Sequence, residues 1–215
     1  MVQHYIHRGL AKKNLNENTI KAFKLSFKNK YGVETDLHVT KDKQFVCFHD
    51  FTLKKKFKLK KKIKEVNYSV LKKISKKYKA EIPLLKHLFK ISKNKHSLLL
   101  EIKPLLKKDS LLHLIKLIKN KKKYGVISFK EKNLENLYKI NKKIPLGMTF
   151  RSSANFKNIK IKSQKKYIKF LVLEKKFLSN KYSAIIKKKI YYYTIKNKRL
   201  FNKYKNKKNL IFRYL

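Results

Sequence analysis

The chain's 215 residues, 42% of them apolar, suffice for one well-buried domain and do not describe a disordered polyelectrolyte. Sixty basic residues against twelve acidic ones give a formal charge of +48, yet only Arg8, Arg151, Arg199 and Arg213 are arginines. Dedicated phosphate readers lean on the arginine fork, so the lysine excess, beside abundant Asn, Ile, Phe and Tyr, reads as AT-rich codon bias and no specific nucleic-acid partner is expected.

Residues 2–6 are predicted as an apolar strand ending at His7-Arg8-Gly9. Residues 18–30 carry Ile20, Ala22, Phe23 and Phe27 at helical spacing, ahead of a turn at Tyr31-Gly32. Strands are predicted over 33–39 and 44–49, joined by the polar link Lys41-Asp42-Lys43 as a hairpin. With the turn centred between Lys41 and Asp42, Glu34 faces His49 across the two strands. Residues 51–82 break the rhythm and read as a small insertion, a solvated lysine-rich run over 54–64 followed by a short helix around 70–74. Ile82-Pro83 then opens a helix through Leu84, Leu85, Leu88 and Phe89, with proline in the first turn where helices accept it.

Beyond that point strands over 97–103, 126–129, 146–150, 170–174, 191–195 and 210–213 alternate with helical stretches. Leu111, Leu112, Leu114, Ile115 and Ile118 mark the first of these helices, and others are predicted over 133–140, 179–187 and 197–204. Strands alternating with helices imply a parallel sheet covered by helices, and eight such units imply a closed barrel. The expected fold is α/β, a (β/α)8 TIM barrel forming one domain over 1–215, somewhat truncated at its C-terminus, with 51–82 inserted.

The lone Cys47 excludes an internal disulfide framework and, within an apolar strand, reads as an inert buried thiol. Residues 1–7 carry neither a basic n-region nor an apolar h-region. The apolar runs fall short of the roughly 20 residues that span a bilayer. A cytoplasmic protein is therefore expected. Its charge would draw in anionic substrates with a salt-sensitive rate, and leaves room for peripheral contact with an anionic membrane.

The twelve carboxylates are not scattered. In a parallel barrel, catalytic groups come from the C-terminal strand ends. His7 ends the first strand, Glu34 and Asp36 end the second, and Glu101 and Lys103 end the third. The Glu-x-Asp spacing has the strand's period of two, so both side chains share one face. Three carboxylates at one mouth repel one another unless neutralised, and a divalent cation held through oxygen is the usual remedy.

In sequence order, His7-Arg8-Gly9, Glu17-Asn18-Thr19, Ala22-Phe23, Gly32-Val33-Glu34-Thr35-Asp36, Asp42, Val46-Cys47-Phe48-His49-Asp50 and Leu53 resemble the glycerophosphodiester phosphodiesterase family. Ile82-Pro83-Leu84-Leu85, Leu100-Glu101-Ile102-Lys103 and Ile127-Ser128-Phe129 continue the match. The resemblance implies a TIM barrel that hydrolyses glycerophosphodiesters to glycerol 3-phosphate and an alcohol with Mg2+ or Ca2+. Carried over, it implies His7 and His49 as the acid/base pair, Glu34, Asp36 and Glu101 as metal ligands, and Arg8 and Lys103 as phosphate contacts. His4, His38, His87, His96 and His113 match no catalytic position and read as surface or packing residues. Asp50 reads as orienting His49, and Glu17 and Asn18 as fixing the start of the first helix. Glu174 reads either as a mouth residue or as a lysine's ion-pair partner.

The chain also departs from the family pattern. Lysines at 54–56 replace an arginine that usually follows His-Asp, and Tyr193-Thr194-Ile195-Lys196 stands where the family has Trp-Thr-Val-Asn. The family's terminal Thr-Asp-x-Pro is missing from Leu210-Ile211-Phe212-Arg213-Tyr214-Leu215, which would leave an apolar stripe open to homodimerisation. Two rival readings remain at this stage. One is a phospholipase-D-like lysolipid hydrolase on the same barrel; the other is an inactive basic protein that binds nucleic acid.

Overall fold

The computed structural model describes residues 2–11, 16–179 and 185–213. Its strands are β1 (Tyr5–His7), β2 (Gly32–Val39), β3 (Phe45–Cys47), β4 (Leu98–Ile102), β5 (Tyr124–Ser128), β6 (Leu146–Phe150), β7 (Phe170–Glu174), β8 (Lys189–Ile195) and β9 (Asn209–Phe212). All but β3 run parallel, each paired with the next around the ring, and β9 returns to β1 through Tyr5↔Ile211 and Ile6↔Phe212. The eight parallel strands thus close the expected (β/α)8 barrel, with β3 as an antiparallel flap on β2.

Most of the helices wrap the barrel through one apolar face. In α1 (Ile20–Lys28) the buried Ala22, Phe23, Ser26 and Phe27 follow helical spacing, and the Thr19 hydroxyl accepts the Ala22 N–H at 3.2 Å as N-cap. Between α1 and the next barrel helix lie α2 (Lys54–Phe57) and α3 (Tyr68–Lys77). After them come α4 (Leu85–Ser92), α5 (Lys108–Ile118), α6 (Glu131–Ile140), α7 (Phe156–Ser163) and α8 (Lys198–Tyr204). The expectation over 133–140 is met by α6 and that over 197–204 by α8. Most of the helix expected over 179–187 falls outside the described residues. No helix among the described residues is long and apolar enough to cross a membrane.

The sequence did not announce α7. Only Ile159 and Ser163 of that helix are buried, so it has almost no apolar stripe, and it starts on an Asn155 side chain accepting from Lys157 N.

Side-chain alternation divides the barrel interior into two layers. Tyr5, Leu99, Ile127, Phe170, Val172, Tyr191 and Ile211 pack as one apolar cluster inside the ring. Small residues make that plug possible: a methyl added to Gly125 would stand 2.8 Å from the Phe170 ring. Two residues further along the same strands, the interior turns charged. His7 lies two beyond Tyr5, Glu34 two and Asp36 four beyond Gly32, and Glu101 two beyond Leu99. The wall of the site is therefore set by strand phase on a rigid apolar base.

The hairpin register differs from expectation by one residue. Leu37 pairs with Cys47 and Val39 with Phe45, so the line of Glu34 passes through residue 50, not His49. The turn holds three residues, 41–43, because Lys43 takes a left-handed conformation (φ 60°) and Thr40 closes the loop on Gln44. Lysine gives no sequence signal for that conformation.

Residues 51–82 also hold more structure than a solvated loop. Leu53, Phe57, Ile63, Val66, Leu71 and Ile82 pack with Val46 and Phe48 into a separate hydrophobic cluster, fastened to β2 and β3. Glu81 ties this unit to the barrel by accepting the Ile20 N–H of α1 at 2.8 Å. A carboxylate there also meets the positive end of that helix.

Candidate active site

Four consecutive strands supply the mouth. His7 ends β1, Glu34 and Asp36 lie on β2, His49 follows β3, and Glu101 and Lys103 stand at the end of β4. Parallel pairing places His7 beside Glu34, and Asp36 beside Glu101, as direct register partners. One carboxylate oxygen each from Glu34, Asp36 and Glu101 lies within 4.8 Å of the others, and all three residues are buried. The structure thus brings His7, Arg8, Glu34, Asp36, Glu101 and Lys103 together, and His49 lines the same cleft as Lys103.

Two cations press on this triad. Arg8 Nε lies 2.9 Å from Asp36 Oδ2, and Lys103 Nζ lies 3.3 Å from Asp36 Oδ1 and 2.9 Å from Glu101 Oε1. Burial alone would raise the Asp36 carboxyl, but Arg8 and Lys103 outweigh it and hold the group below the usual carboxylate range. At Glu34 the same two cations are outweighed. Burial, then the charges of Asp36 and Glu101, lift its carboxyl well above the ordinary value. Burial and Asp36 likewise push Glu101 up to about 7.

These groups are what a hard divalent cation would satisfy. Glu101 Oε1 is buried against the Lys103 ammonium alone, and Glu34 receives only a long 3.3 Å N–H from Arg8 through its Oε2. Oxygen donors at this separation suit Mg2+ or Ca2+. Charge points the same way. Three carboxylates face Arg8 and Lys103; a divalent cation would leave one positive charge, which a phosphodiester monoanion would cancel.

The imidazoles differ in their surroundings. His7 Nε2 stands 3.9 Å from Glu34 Oε2, while its Nδ1 is buried without a partner. Burial, reinforced by Arg8, lowers the His7 pKa to about 3, so the ring is neutral. His49 is more open, and its Nδ1 meets Asp50 Oδ1 at 2.7 Å, as the sequence reading of Asp50 expected. That bond fixes the ring and leaves Nε2 for the cleft.

Several supporting residues were missed or misassigned in the sequence. Thr19, not Glu17 or Asn18, caps α1. Glu17 instead bridges two arginines, Arg8 Nη1 at 2.7 Å and Arg213 Nη2 at 2.6 Å. Asn18 donates to Asp36 Oδ2 at 3.2 Å and accepts from the Thr35 hydroxyl at 2.7 Å. The sequence signal was present, since both sit in the quoted motif, but the partner Arg213 lies 196 residues away. His38 is not a bare packing residue either: burial brings its pKa down to about 4, and its Nε2 donates to the His49 carbonyl at 3.1 Å. The other histidines stay outside the site; His4, for example, packs on Phe201 and accepts the Leu210 N–H through Nδ1. Glu174 pairs with no lysine among the described residues; it caps a short turn by accepting Lys176 N.

Opposite His49, the mouth is lined by aromatic and basic groups from later strands. Tyr193 donates its hydroxyl to the Phe150 carbonyl at 3.0 Å, with Phe129 edge-on to its ring and Arg151 stacked 5.2 Å from Phe129. Tyr193 therefore keeps an aromatic wall where the family motif has tryptophan.

No curated protein matches the sequence. Among solved structures, a glycerophosphodiester phosphodiesterase from Thermotoga maritima superposes with a TM-score of 0.84 at 22% identity, covering 99% of this chain and 94% of that one. A phosphodiesterase from Oleispira antarctica, in complex with the product sn-glycerol-3-phosphate, gives 0.81 at 20% identity, covering 98% and 92%. At these identities the likeness establishes the fold. The family model described as glycerophosphoryl diester phosphodiesterase spans residues 7–206, from the first site histidine through the last helix. On that match, over a barrel whose mouth carries the motif residues together, the chain belongs to the glycerophosphoryl diester phosphodiesterase family.

Proposed function

We propose that this protein hydrolyses glycerophosphodiesters to glycerol 3-phosphate and a free alcohol, with a divalent cation held by Glu34, Asp36 and Glu101. The observation that carries the reading is the buried carboxylate triad with His7 in register beside it and His49 at the same mouth. When bound, the cation supplies charge stabilisation at a phosphoryl oxygen. Everything else rests on the chain's own groups.

Arg8 and Lys103 flank the triad and orient the phosphodiester monoanion, and Glu17 and Asp36 keep the Arg8 guanidinium from swinging away. His7, neutral and with an unpartnered Nδ1, is suited to take a proton from the attacking hydroxyl. His49, backed by Asp50, is suited to hand a proton to the leaving alcohol, because the carboxylate on Nδ1 fixes the ring with Nε2 toward the cleft. His38 holds the His49 backbone in place. In the first step, whether the nucleophile is water or a neighbouring glycerol hydroxyl, one proton passes to His7 and one comes from His49; in the latter case water then opens the cyclic phosphate with the two roles reversed.

The physiological setting we infer is turnover of deacylated glycerophospholipids in the cytoplasm. The buried free thiol of Cys47 is compatible with a reducing compartment. The test is release of glycerol 3-phosphate from a panel of soluble glycerophosphodiesters supplied with Mg2+ or Ca2+. Release from at least one member is expected, and no release from any would overturn the proposal.

A further inference from the structure

The cleft that opens from the site has a charge pattern unrelated to the phosphodiester chemistry. It measures ≈ 660 Å³ and runs from His49 and Asp50, past Lys103, to Lys54, Lys55 and Lys58 on one side and Arg151 on the other. Lys103 belongs both to this cleft and to the carboxylate triad, so the two spaces are continuous.

Helix α2 sorts its lysines. Lys54, Lys55 and Lys58 line the cleft, whereas Lys56 turns away, its ammonium about 6 Å from the rings of Phe48 and Phe57. The sorting is fixed by Leu53 and Phe57, which are wholly buried in the insertion's core and set the helix's rotation. Lys58 ends the helix in a left-handed conformation (φ 59°), its N–H bonded to the Lys54 carbonyl. Among the described residues no carboxylate lies within ion-pair distance of Lys54, Lys55, Lys58 or Arg151. The one acid in the cleft, Asp50, is taken by His49.

We propose that this cleft is a second anion subsite: the alcohol released from the diester carries its own phosphomonoester or carboxylate, which lies among Lys54, Lys55, Lys58 and Arg151. The inference rests on the diesterase reading above and adds the class of leaving group. Four cations without acidic partners disfavour a quaternary ammonium headgroup and attract an anionic one, a phosphomonoester more than a carboxylate, over the short range that solvent screening allows. The outward face of His49 puts the proton donor at the junction, where the leaving oxygen would sit.

The test compares kcat/KM for glycerophosphoinositol phosphate, glycerophosphoinositol and glycerophosphocholine at low and high salt. In the wild type the phosphorylated substrate should exceed its unphosphorylated counterpart by about 10-fold or more at low salt, with the choline diester lowest. A Lys54→Gln/Lys55→Gln/Lys58→Gln variant, and separately Arg151→Gln, should shrink that ratio severalfold. Lys21→Gln/Lys24→Gln/Lys28→Gln removes equal charge from the exposed face of α1 and should leave the ratio alone. An equal fall in that control would assign the preference to net charge and overturn the subsite. So would a wild type that turns over all three diesters without preference. Failure to turn over any diester would instead overturn the diesterase reading, and the subsite with it. Folding of each variant is read independently from its melting temperature.

Discussion

Replacing Glu101 by glutamine tests the electrostatic account of the triad quantitatively. Burial and the neighbouring Asp36 raise this carboxyl from its ordinary 4.5 to about 7. Between those two values the folded chain keeps a proton that the unfolded chain has lost, so stability falls as pH rises. Over that interval the cost amounts to about 3 kcal/mol. For a chain of this length that is about 6–12 °C in Tm. His7 acts with the opposite sign: its pKa is lowered from 6.5 to about 3, so its contribution to stability grows as pH rises through that range. The wild-type profile mixes the two, whereas the difference between wild type and Glu101→Gln cancels His7 and reports this carboxyl together with the relief its removal gives Glu34. Thermal melts in EDTA from pH 4 to 8 should show the variant gaining on the wild type by about 3 kcal/mol across the window. Saturating Mg2+ or Ca2+ should restore the wild type at the alkaline end, because the cation binds the folded state alone. A difference that stays flat with pH in chelator would refute the reasoning.

Other outcomes follow from the same geometry. His7→Ala and His49→Ala should each reduce kcat by about 10²–10⁴-fold with little change in Tm; near-wild-type turnover in either would remove that residue from the proton inventory. Leu71→Ala opens a cavity in the core of the insertion and should cost about 2–5 kcal/mol there. Hydrogen exchange would then rise over residues 51–82 before the barrel, and uniform exchange throughout would show that the unit has no core of its own. Gly125→Ala should drive a methyl into the Phe170 ring and lower stability by about 1–3 kcal/mol, read as a fall in denaturation midpoint; an unchanged midpoint would mean the plug has slack.

The barrel was legible because its signals are periodic and local. Glu34 and Asp36 are two apart on one strand, so their convergence needed only the pleat. The apolar runs of β4 to β7 were found within a few residues of their observed limits, since buried parallel strands read as continuous hydrophobic stretches. What escaped had other causes. Lys43 and Lys58 take left-handed conformations that lysine does not advertise, so the hairpin register slipped by one and the end of α2 went unseen. In the insertion, Leu53, Phe57 and Ile63 stand among so many lysines that the pattern resembled a solvated run, although all three are buried. The clamp from Glu17 to Arg8 and Arg213 joins the two ends of the chain, and no local pattern encodes a pairing of that span.

The account stands on a cation seated among Glu34, Asp36 and Glu101 within reach of both imidazoles. Its most direct test is glycerol 3-phosphate release by the chelator-treated protein, before and after Mg2+ or Ca2+ is restored. The prediction is no release in chelator and recovery on addition of the cation. Full turnover in the presence of chelator would contradict it.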